Sequence, residues 1–288
     1  MTSNPWLQRR VLHYAHQGGA REAPSSTLFA IRQAIAAGAD AIELDVHRSA
    51  DGHLIVCHDA TIDRTTPESG RIADMTLTAL RKLDNAHWWV NGHESLTSAK
   101  PHEYELRGRF PGDPTLGIAT LDEILTEFPS VFLNFDIKEI APDVVPYEHQ
   151  LADTLRRFGR TDDVIVASFH DRALRAFRDY APEIHTSAGP REVGDIAKKL
   201  AAGRPISPSG PSMVALQIPY FFGEVQMVTP ALVEASHAAG IAVHVWTIDE
   251  ATEMDELLAL GVDGIMTDCP TVLAEALTRN GAPRLTRT

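Results

Sequence analysis

Short apolar runs with the length of β-strands alternate with helix-length amphipathic stretches along this sequence of 288 residues. The runs that predict strands are residues 11–15, 41–46, 54–57, 131–137, 164–168, 184–187, 213–218, 241–246 and 264–266. The stretches that predict helices are residues 26–37, 121–128, 147–158, 172–179, 192–202, 230–239 and 252–260. Strands separated by helices pair in parallel, and this number of units predicts an α/β protein with a TIM-type (β/α)8 barrel.

The predicted strands are one more than such a barrel needs. The gap between Val46 and Leu54 contains the turn signal Asp51-Gly52 and is too short for a helix. We therefore expect one strand to form a hairpin-like irregularity or to lie outside the barrel. Residues 84–117 are rich in Gly, Pro and His and show no sustained periodicity, which predicts a functional loop or lid within a single domain of residues 1–288.

Charge and hydropathy limit the partners of this chain. The formal net charge is −13, which argues against sequence-independent binding to nucleic acid or to an anionic membrane. An anionic substrate would then need a local metal ion or cationic group. Residues 1–10 lack the apolar core of a signal peptide and no run reaches the length of a membrane span, so we expect a cytoplasmic protein. Cys57 and Cys269 lie in apolar runs and are expected to be buried free thiols.

Candidate functional residues gather where the predicted strands end, and in a parallel barrel these ends form the active face. They are His16 after the first strand, Glu43 and Asp45 in the second, His58 after the third, Asp136 and Lys138 in and after the fourth, and Trp246 at the end of the eighth. Glu43 and Asp45 are two residues apart, so both point to one face of a strand, where two negative charges require a cation. Three carboxylates without a Cys or His cluster favour Mg²⁺ or Ca²⁺ over zinc.

Together these groups fit the metal-assisted cleavage of a phosphodiester. A hard cation polarises a phosphoryl oxygen and offsets the charge that develops on it. Histidine side chains titrate near neutral pH, so His16 and His58 suit general acid and base catalysis. Lys138 adds a positive point charge for a phosphate oxygen.

Each candidate also has a structural interpretation, which the sequence leaves open. A histidine at a strand end is often a hydrogen-bonded structural group, and this interpretation suits His47, His170 and His244. Glu43 and Asp45 could instead form ion pairs with Arg48 or Arg64, and Asp136 could pair with Lys138. Trp246 could pack in the core. Trp88 and Trp89 could either pack in the core or form the lip of a pocket.

The sequence resembles the glycerophosphodiester phosphodiesterase family over most of its length. The motifs that carry this resemblance are, in order, His16-Gln17-Gly18-Gly19, Pro24-Ser25-Ser26-Thr27, residues 38–46, Asp51-Gly52 with His58-Asp59, Asp63-Arg64-Thr65-Thr66, Thr120-Leu121-Asp122-Glu123, Asp136-Ile137-Lys138, Ser168-Phe169, Val245-Trp246-Thr247 and residues 261–268. Each motif alone is weak, but their order and spacing are highly specific.

The resemblance implies a TIM barrel with a small insertion after the third strand, which residues 84–117 would supply. It implies that Glu43, Asp45 and Asp136 hold Mg²⁺ or Ca²⁺, and that His16 and His58 are the acid–base pair. In the family mechanism a glycerol hydroxyl attacks phosphorus, a cyclic phosphate forms, and water then opens the ring. The products are glycerol 3-phosphate and an alcohol such as choline or ethanolamine.

The sequence departs from the family pattern in three of these motifs. Gln17 stands where Arg is usual, Ser25-Ser26 stand where Glu-Asn is usual, and Asp136 replaces a Glu. Gln17, Lys138 and Trp246 remain the expected substrate-binding residues, although Gln17 offers a neutral amide where Arg would clamp phosphate in a bidentate way. Loss of the Arg together with the Glu suggests a compensated swap of an ion pair for neutral partners.

The substrate stays open between a small glycerophosphodiester and a lysophospholipid. The doublets Trp88-Trp89 and Phe221-Phe222 could hold one acyl chain, which would give a lysophospholipase D. A barrel that only binds phosphorylated ligands is a further alternative, but both histidines and all three carboxylates are retained. A sphingomyelinase-type phospholipase D shares the barrel and similar histidines, whereas the Lys138 strand and residues 261–268 favour the first family. The sequence leaves the oligomeric state open.

Overall fold

The computed structural model of this chain describes residues 4–7 and 11–282. The strands are β1 (Leu12–His16), β2 (Ala41–Arg48), β3 (Leu54–Val56), β4 (Ala119–Thr120), β5 (Phe132–Ile137), β6 (Val164–Ala167), β7 (His185–Ser187), β8 (Met213–Pro219), β9 (Phe221–Phe222), β10 (Val225–Gln226), β11 (Ala242–Trp246) and β12 (Gly264–Thr267). The helices are α1 (Leu28–Ala37), α2 (Leu77–Leu80), α3 (Leu121–Glu127), α4 (Glu148–Arg157), α5 (Asp171–Tyr180), α6 (Pro190–Ala201), α7 (Pro230–Ala238), α8 (Ala251–Leu260) and α9 (Pro270–Arg279).

Eight of these strands form a closed parallel barrel, as the sequence predicted. The neighbours around the barrel are β1, β2, β5, β6, β7, β8, β11 and β12, and β12 pairs again with β1. At least one helix follows each barrel strand along the chain. The carboxyl ends of all eight strands therefore lie at one end of the barrel, where side chains from distant parts of the sequence meet.

The additional strand lies outside the barrel. β3 pairs antiparallel with β2, and β4 pairs antiparallel with β3. The turn between β2 and β3 depends on Gly52, whose φ of 89° lies in the left-handed region that favours glycine. Asp51 stabilises the same turn, because its carboxylate accepts hydrogen bonds from the Ser49 hydroxyl and the Leu77 amide. The long segment of residues 84–117 thus follows the third strand of the chain but the second strand of the barrel.

Residues 84–117 form an irregular segment that is closed at its base by a bridge between Asp84 and Gly117. Two tryptophans attach this segment to the barrel loops. The indole of Trp88 donates a 2.7 Å hydrogen bond to the Thr66 carbonyl, and that of Trp89 donates a 3.1 Å hydrogen bond to the Ala20 carbonyl. These contacts favour the packing interpretation of both tryptophans over a pocket lip.

Helix boundaries follow from local caps. Thr27 caps α1 by accepting a hydrogen bond from the Ala30 amide, so this helix begins two residues later than the predicted start at Ser26. Gly38 ends the same helix in the left-handed conformation. The sequence patterns did not predict α9, which buries Leu273 against the core around β8, β11 and β12.

Two further expectations concern the thiols and membrane spans. Cys57 and Cys269 are buried free cysteines, as expected. Within the described ranges, no helix combines the length and the apolar character that crossing a membrane requires. The expectation that the amino terminus holds no signal peptide falls partly on residues 1–3 and 8–10, which lie outside the described residues.

Candidate active site

The strand-end residues singled out from the sequence meet at one end of the barrel. They are His16 in β1, Glu43 and Asp45 in β2, His58 after β3, Asp136 in β5 with Lys138 just after it, and Trp246 at the end of β11. The position of His58 arises differently from the expectation, which placed it at the end of a barrel strand. It follows β3, which lies outside the barrel and pairs antiparallel with β2. The Cys57 amide donates a 3.1 Å hydrogen bond to the Asp45 carbonyl and so brings His58 to the site.

Three carboxylates converge on this site from β2 and β5. Glu43 and Asp45 share one face of β2, and Asp136 is the register partner of Asp45 on the neighbouring strand. All three are buried. Burial, reinforced by the charge of Asp45, raises the pKa of Glu43 to about 8, and burial also raises the pKa of Asp136 to about 6 although Lys138 opposes this shift. Burial therefore disfavours the charged forms of Glu43 and Asp136 as long as no further cation stabilises them.

Lys138 provides the nearby positive charge. Its ammonium nitrogen lies 3.1 Å from Asp45 Oδ1 and 3.6 Å from Asp136 Oδ2, so the predicted ion pair between Lys138 and Asp136 is present and includes Asp45. Burial lowers the pKa of Lys138, but these carboxylates outweigh burial and raise it overall. Among the salt bridges of the described residues, Glu43 pairs with His16 and Asp45 with Lys138, and neither pairs with an arginine.

The carboxylates retain unused coordinating capacity. Asp45 Oδ2 and Asp136 Oδ1 are buried and have no hydrogen-bond partner in the described part of the chain. Residues 4–7 and 11–282 do not contain three His, Cys, Asp or Glu side chains grouped as a ready-made metal site. In this arrangement the ammonium group of Lys138 lies within 3.6 Å of both aspartates. The donor set of three carboxylates nevertheless suits a hard divalent cation, and the two unpaired oxygens give it free ligand atoms.

His16 lies between two acids. Its Nδ1 is 2.8 Å from Asp268 Oδ1, and its Nε2 is 3.7 Å from Glu43 Oε2. Burial lowers the pKa of His16, but Glu43, Asp268 and Asp45 outweigh this effect and raise it to about 10. The imidazole is therefore fixed in orientation and cationic when no other positive charge enters the site.

His58 faces His16 and has its own acid. The two ring centroids are 6.0 Å apart and the rings are close to perpendicular, with an interplanar angle of 78°. His58 Nδ1 lies 2.6 Å from Asp59 Oδ1, and Asp59 also accepts a 2.8 Å hydrogen bond from Arg64 Nε. The hydrogen bond with His58 is the main cause that holds the pKa of Asp59 well below its usual range. Each of the two histidines thus has a carboxylate on Nδ1.

Gln17 lies beside these histidines, and its side chain is buried. Its Nε2 is 3.4 Å from His16 Nδ1, and its Oε1 accepts a 3.3 Å hydrogen bond from Arg64 Nη2. The residue adopts a φ of 52°, in the left-handed region, and its backbone amide donates a hydrogen bond to the Glu43 carbonyl. This position therefore turns the chain sharply as it leaves β1.

The three histidines for which the sequence suggested a structural role, His47, His170 and His244, fit that interpretation. His47 is buried with Nδ1 2.8 Å from Glu139, and His170 Nε2 lies 3.2 Å from the Lys138 carbonyl. Burial lowers the pKa of His244 to about 3, so this histidine stays neutral. Trp246 lies at the rim and is partly exposed, and it contacts Phe169 edge-on with centroids 5.6 Å apart.

Sequence patterns did not assign roles to Asp59, Asp268 or Glu94, and they suggested Arg64 only as an ion-pair partner of Glu43 and Asp45, which the structure does not show. Asp268 follows the last barrel strand, and the rule that located the other strand-end residues would have found it. Asp59 is adjacent to His58, which was a second available signal. Glu94 belongs to the irregular segment of residues 84–117, where periodicity gives no information about contacts, so its 3.0 Å ion pair with Arg64 required the structure.

Comparison with known proteins gives consistent matches. A family model described as the glycerophosphoryl diester phosphodiesterase family matches residues 16–272. A glycerophosphodiester phosphodiesterase from Caldanaerobacter subterraneus subsp. tengcongensis is 28% identical over 276 residues, which cover 94% of this chain and 100% of the relative. A probable glycerophosphodiester phosphodiesterase 1 from Mycobacterium tuberculosis is 30% identical, over 89% of this chain and 88% of the relative.

A solved structure agrees with these sequence matches. The crystal structure of a glycerophosphodiester phosphodiesterase from Agrobacterium tumefaciens superposes with a TM-score of 0.69 and 26% sequence identity. The superposition covers 92% of this chain and 99% of that chain. The similarity therefore extends over nearly the whole chain.

Proposed function

The chain belongs to the glycerophosphoryl diester phosphodiesterase family, a family of phosphoric diester hydrolases, and we propose that it hydrolyses glycerophosphodiesters to glycerol 3-phosphate and an alcohol. The pair of histidines carries this proposal. Two imidazoles with centroids 6.0 Å apart stand beside three buried carboxylates, and each imidazole has its own acid on Nδ1. This arrangement offers two proton-transfer groups that can act on opposite sides of one phosphorus atom.

The histidines would exchange roles during the reaction. One imidazole accepts the proton of the glycerol hydroxyl next to the phosphoester while that oxygen attacks phosphorus. The other imidazole donates its proton to the oxygen of the departing alcohol, and a cyclic phosphate remains. In the second step the roles reverse, because water gives up a proton as it opens the ring and the ring oxygen takes one. His16 and His58 are thereby restored to their starting protonation states.

We propose that Glu43, Asp45 and Asp136 hold a divalent cation, Mg²⁺ or Ca²⁺. The two unpaired oxygens of Asp45 and Asp136 and the excess of carboxylates over ammonium groups support this assignment. When bound, such a cation would stabilise the negative charge that develops on the phosphoryl oxygens. Lys138 would then turn from Asp45 and Asp136 towards a phosphate oxygen, as its flexible four-carbon stem allows.

Product analysis tests the proposed reaction. Purified protein is incubated with sn-glycero-3-phosphocholine in Mg²⁺ or in Ca²⁺, and glycerol 3-phosphate and choline are measured separately. We expect both products in equal amounts. Formation of glycerol and phosphocholine would show cleavage of the other ester bond, and no turnover with either cation would refute the activity. Because both histidines and all three carboxylates are in place, a barrel that only binds ligands is the weaker alternative.

A lysophospholipid is a second candidate substrate, and exposed apolar side chains at the same end of the barrel favour it. Phe169, on the loop after β6, is 61% exposed. Phe221, Phe222 and Val225, in the β9–β10 hairpin that follows β8, are 46%, 73% and 61% exposed. Trp246 is the register partner of Pro219, so the hairpin begins beside the rim of the site. An acyl chain attached to the glycerol could lie against these side chains and remove them from water.

A further inference from the structure

We propose that Arg64 is a positioning residue that holds both histidines of the site in one arrangement. Its planar guanidinium makes three separate contacts. Nε donates to Asp59 at 2.8 Å, Nη1 donates to Glu94 at 3.0 Å, and Nη2 donates to Gln17 at 3.3 Å. The consequence for catalysis rests on the phosphodiesterase function proposed above, whereas the consequence for histidine geometry does not.

The contact with Asp59 connects Arg64 to His58. One oxygen of Asp59 accepts from Arg64 and the other lies 2.6 Å from His58 Nδ1. A carboxylate held at both oxygens cannot rotate freely, so it fixes the tautomer and the plane of the imidazole. This leaves Nε2 of His58 as the nitrogen available for proton transfer.

The contact with Gln17 connects Arg64 to His16. Because Oε1 of Gln17 accepts from Arg64, the side-chain nitrogen is turned towards the His16 ring and packs against it, 3.4 Å from Nδ1 and 3.5 Å from Nε2, without a hydrogen bond to the cationic ring. Asp268 holds Nδ1 of the same ring. A continuous path of contacts therefore leads from His58 through Asp59, Arg64 and Gln17 to His16.

The charges around Arg64 favour positioning over direct binding of phosphate. The single positive charge of Arg64 lies between the two carboxylates of Asp59 and Glu94, which already compensate it. Little positive potential remains for an anionic substrate. Glu94 belongs to the irregular segment of residues 84–117, and the Ser95 hydroxyl also bonds the Arg64 carbonyl at 2.8 Å. This segment therefore holds Arg64, and with it the path of contacts between the histidines, in place.

The geometry requires arginine at this position. Three acceptors in different directions match the fork of a guanidinium, whereas a lysine ammonium cannot span them while it keeps its orientation. Arg160 offers a matched control at the other end of the barrel. It is more deeply buried and also has three partners, Asp163 and the carbonyls of Phe128 and Val131, which all lie near the start of β5 and β6.

The experiment compares Arg64→Met, Arg64→Lys, Asp59→Asn, the Asp59→Asn/Arg64→Met double variant and Arg160→Met, with kcat, KM and Tm measured for each. We expect both Arg64 variants and Asp59→Asn to lower kcat about 10-fold to 100-fold with KM changed little, because misplaced groups slow the chemical step. The kcat of the double variant should be at most about 3-fold below that of the slower single variant, because both substitutions break the same path of contacts. Arg160→Met should lower Tm and leave kcat within about 2-fold, because Arg160 is remote from the site.

Three results would overturn the proposal. In the first, the loss of kcat in the double variant equals the product of the losses in the two single variants. In the second, Arg64→Lys keeps the wild-type kcat. In the third, Arg160→Met loses as much kcat as Arg64→Met does.

A second measurement does not depend on activity. Spectra of ¹⁵N-labelled histidines should show one tautomer of His58 in the wild type and a mixture in Arg64→Met. If the wild type hydrolyses no phosphodiester but this change occurs, the function fails and the positioning role stands. An unchanged His58 spectrum refutes the positioning role.

Discussion

Nδ1 of His16, in the first barrel strand, lies 2.8 Å from Oδ1 of Asp268, which follows the last barrel strand, 252 residues away in the sequence. Because β12 pairs with β1 to close the barrel, this contact crosses the closure seam. Asp59 holds Nδ1 of His58 in the same way. A carboxylate on Nδ1 fixes the orientation of an imidazole, so each of the two histidines is held by an acid on the same ring nitrogen.

We predict that His16 stays protonated well above neutral pH in the metal-free protein. Burial alone lowers its pKa, but Glu43, Asp268 and Asp45 raise it from 6.5 to about 10. Since this folded-state pKa is above the unfolded value, His16 favours folding below about pH 6.5, and this contribution disappears as the pH rises towards 10.

NMR titration of chelated protein checks this prediction. Asp268→Asn should lower the pKa of His16, and His244, whose pKa burial lowers to about 3, should remain neutral throughout as an internal reference. Titration of His16 near pH 6.5 in the wild type would contradict the prediction.

Substitution of either histidine should abolish efficient proton transfer. We expect His16→Ala and His58→Ala each to lower kcat for sn-glycero-3-phosphocholine by at least about 10²-fold. His237→Ala is a matched control, because this half-exposed histidine also has a carboxylate partner, Asp263, 2.8 Å away, but lies outside the site. Near-wild-type turnover of either site variant in Mg²⁺ or Ca²⁺ would disprove its catalytic assignment.

Arginine at position 17 should be poorly tolerated in this chain. Gln17 is 1% exposed and already contacts Arg64, so Gln17→Arg buries a second guanidinium beside the first, which already occupies Asp59 and Glu94. An unpaired buried charge costs about 3–5 kcal/mol of folding free energy. We expect a lower Tm and no gain in kcat.

A second variant tests whether the two departures from the family pattern compensate each other. The Ser26 amide donates to the Gln17 carbonyl at 2.7 Å, which brings the buried Ser25 near position 17. Gln17→Arg/Ser25→Glu should therefore recover part of the lost stability by restoring an ion pair. A clear gain in turnover from Gln17→Arg alone would refute the idea of compensation.

The exposed hairpin should matter only for substrates that carry an acyl chain. The Phe221→Ser/Phe222→Ser variant should raise KM for lysophosphatidylcholine about 10-fold, because loss of apolar contact area weakens binding of the chain. The same variant should hydrolyse sn-glycero-3-phosphocholine at the wild-type rate. Equal effects on both substrates, or none on either, would contradict a role of this hairpin in holding lipid.

The barrel itself was predictable from the sequence because strand and helix patterns alternate with clear turn signals. The nine strand candidates lie within two residues of observed strands at each end. The position of β3 was the open point, because an apolar run of three residues carries no information about pairing direction. The α9 helix was not predicted, although Pro270 in its first turn is a helix-start signal.

The sequence predicted which side chains come together where strand ends determine their position, and did not predict it where loops do. His16, Glu43, Asp45 and Asp136 follow from strand order and side-chain alternation. The contact between Lys138 and Asp45, by contrast, depends on how a long flexible side chain settles against buried charge. The path through Arg64 depends on a loop and on residues 84–117, where no periodic pattern predicts which groups meet.

The most direct test of metal-assisted catalysis is the rate of sn-glycero-3-phosphocholine hydrolysis by chelated protein, before and after Mg²⁺ or Ca²⁺ is added back, for the wild type and Asp45→Asn. We predict that the chelated wild type is inactive and that one of the two cations restores release of glycerol 3-phosphate. Asp45→Asn should require a much higher cation concentration, because it replaces a buried charged ligand with a neutral one. Full activity in the presence of chelator, or identical cation requirements for both proteins, would contradict metal-assisted catalysis at this site.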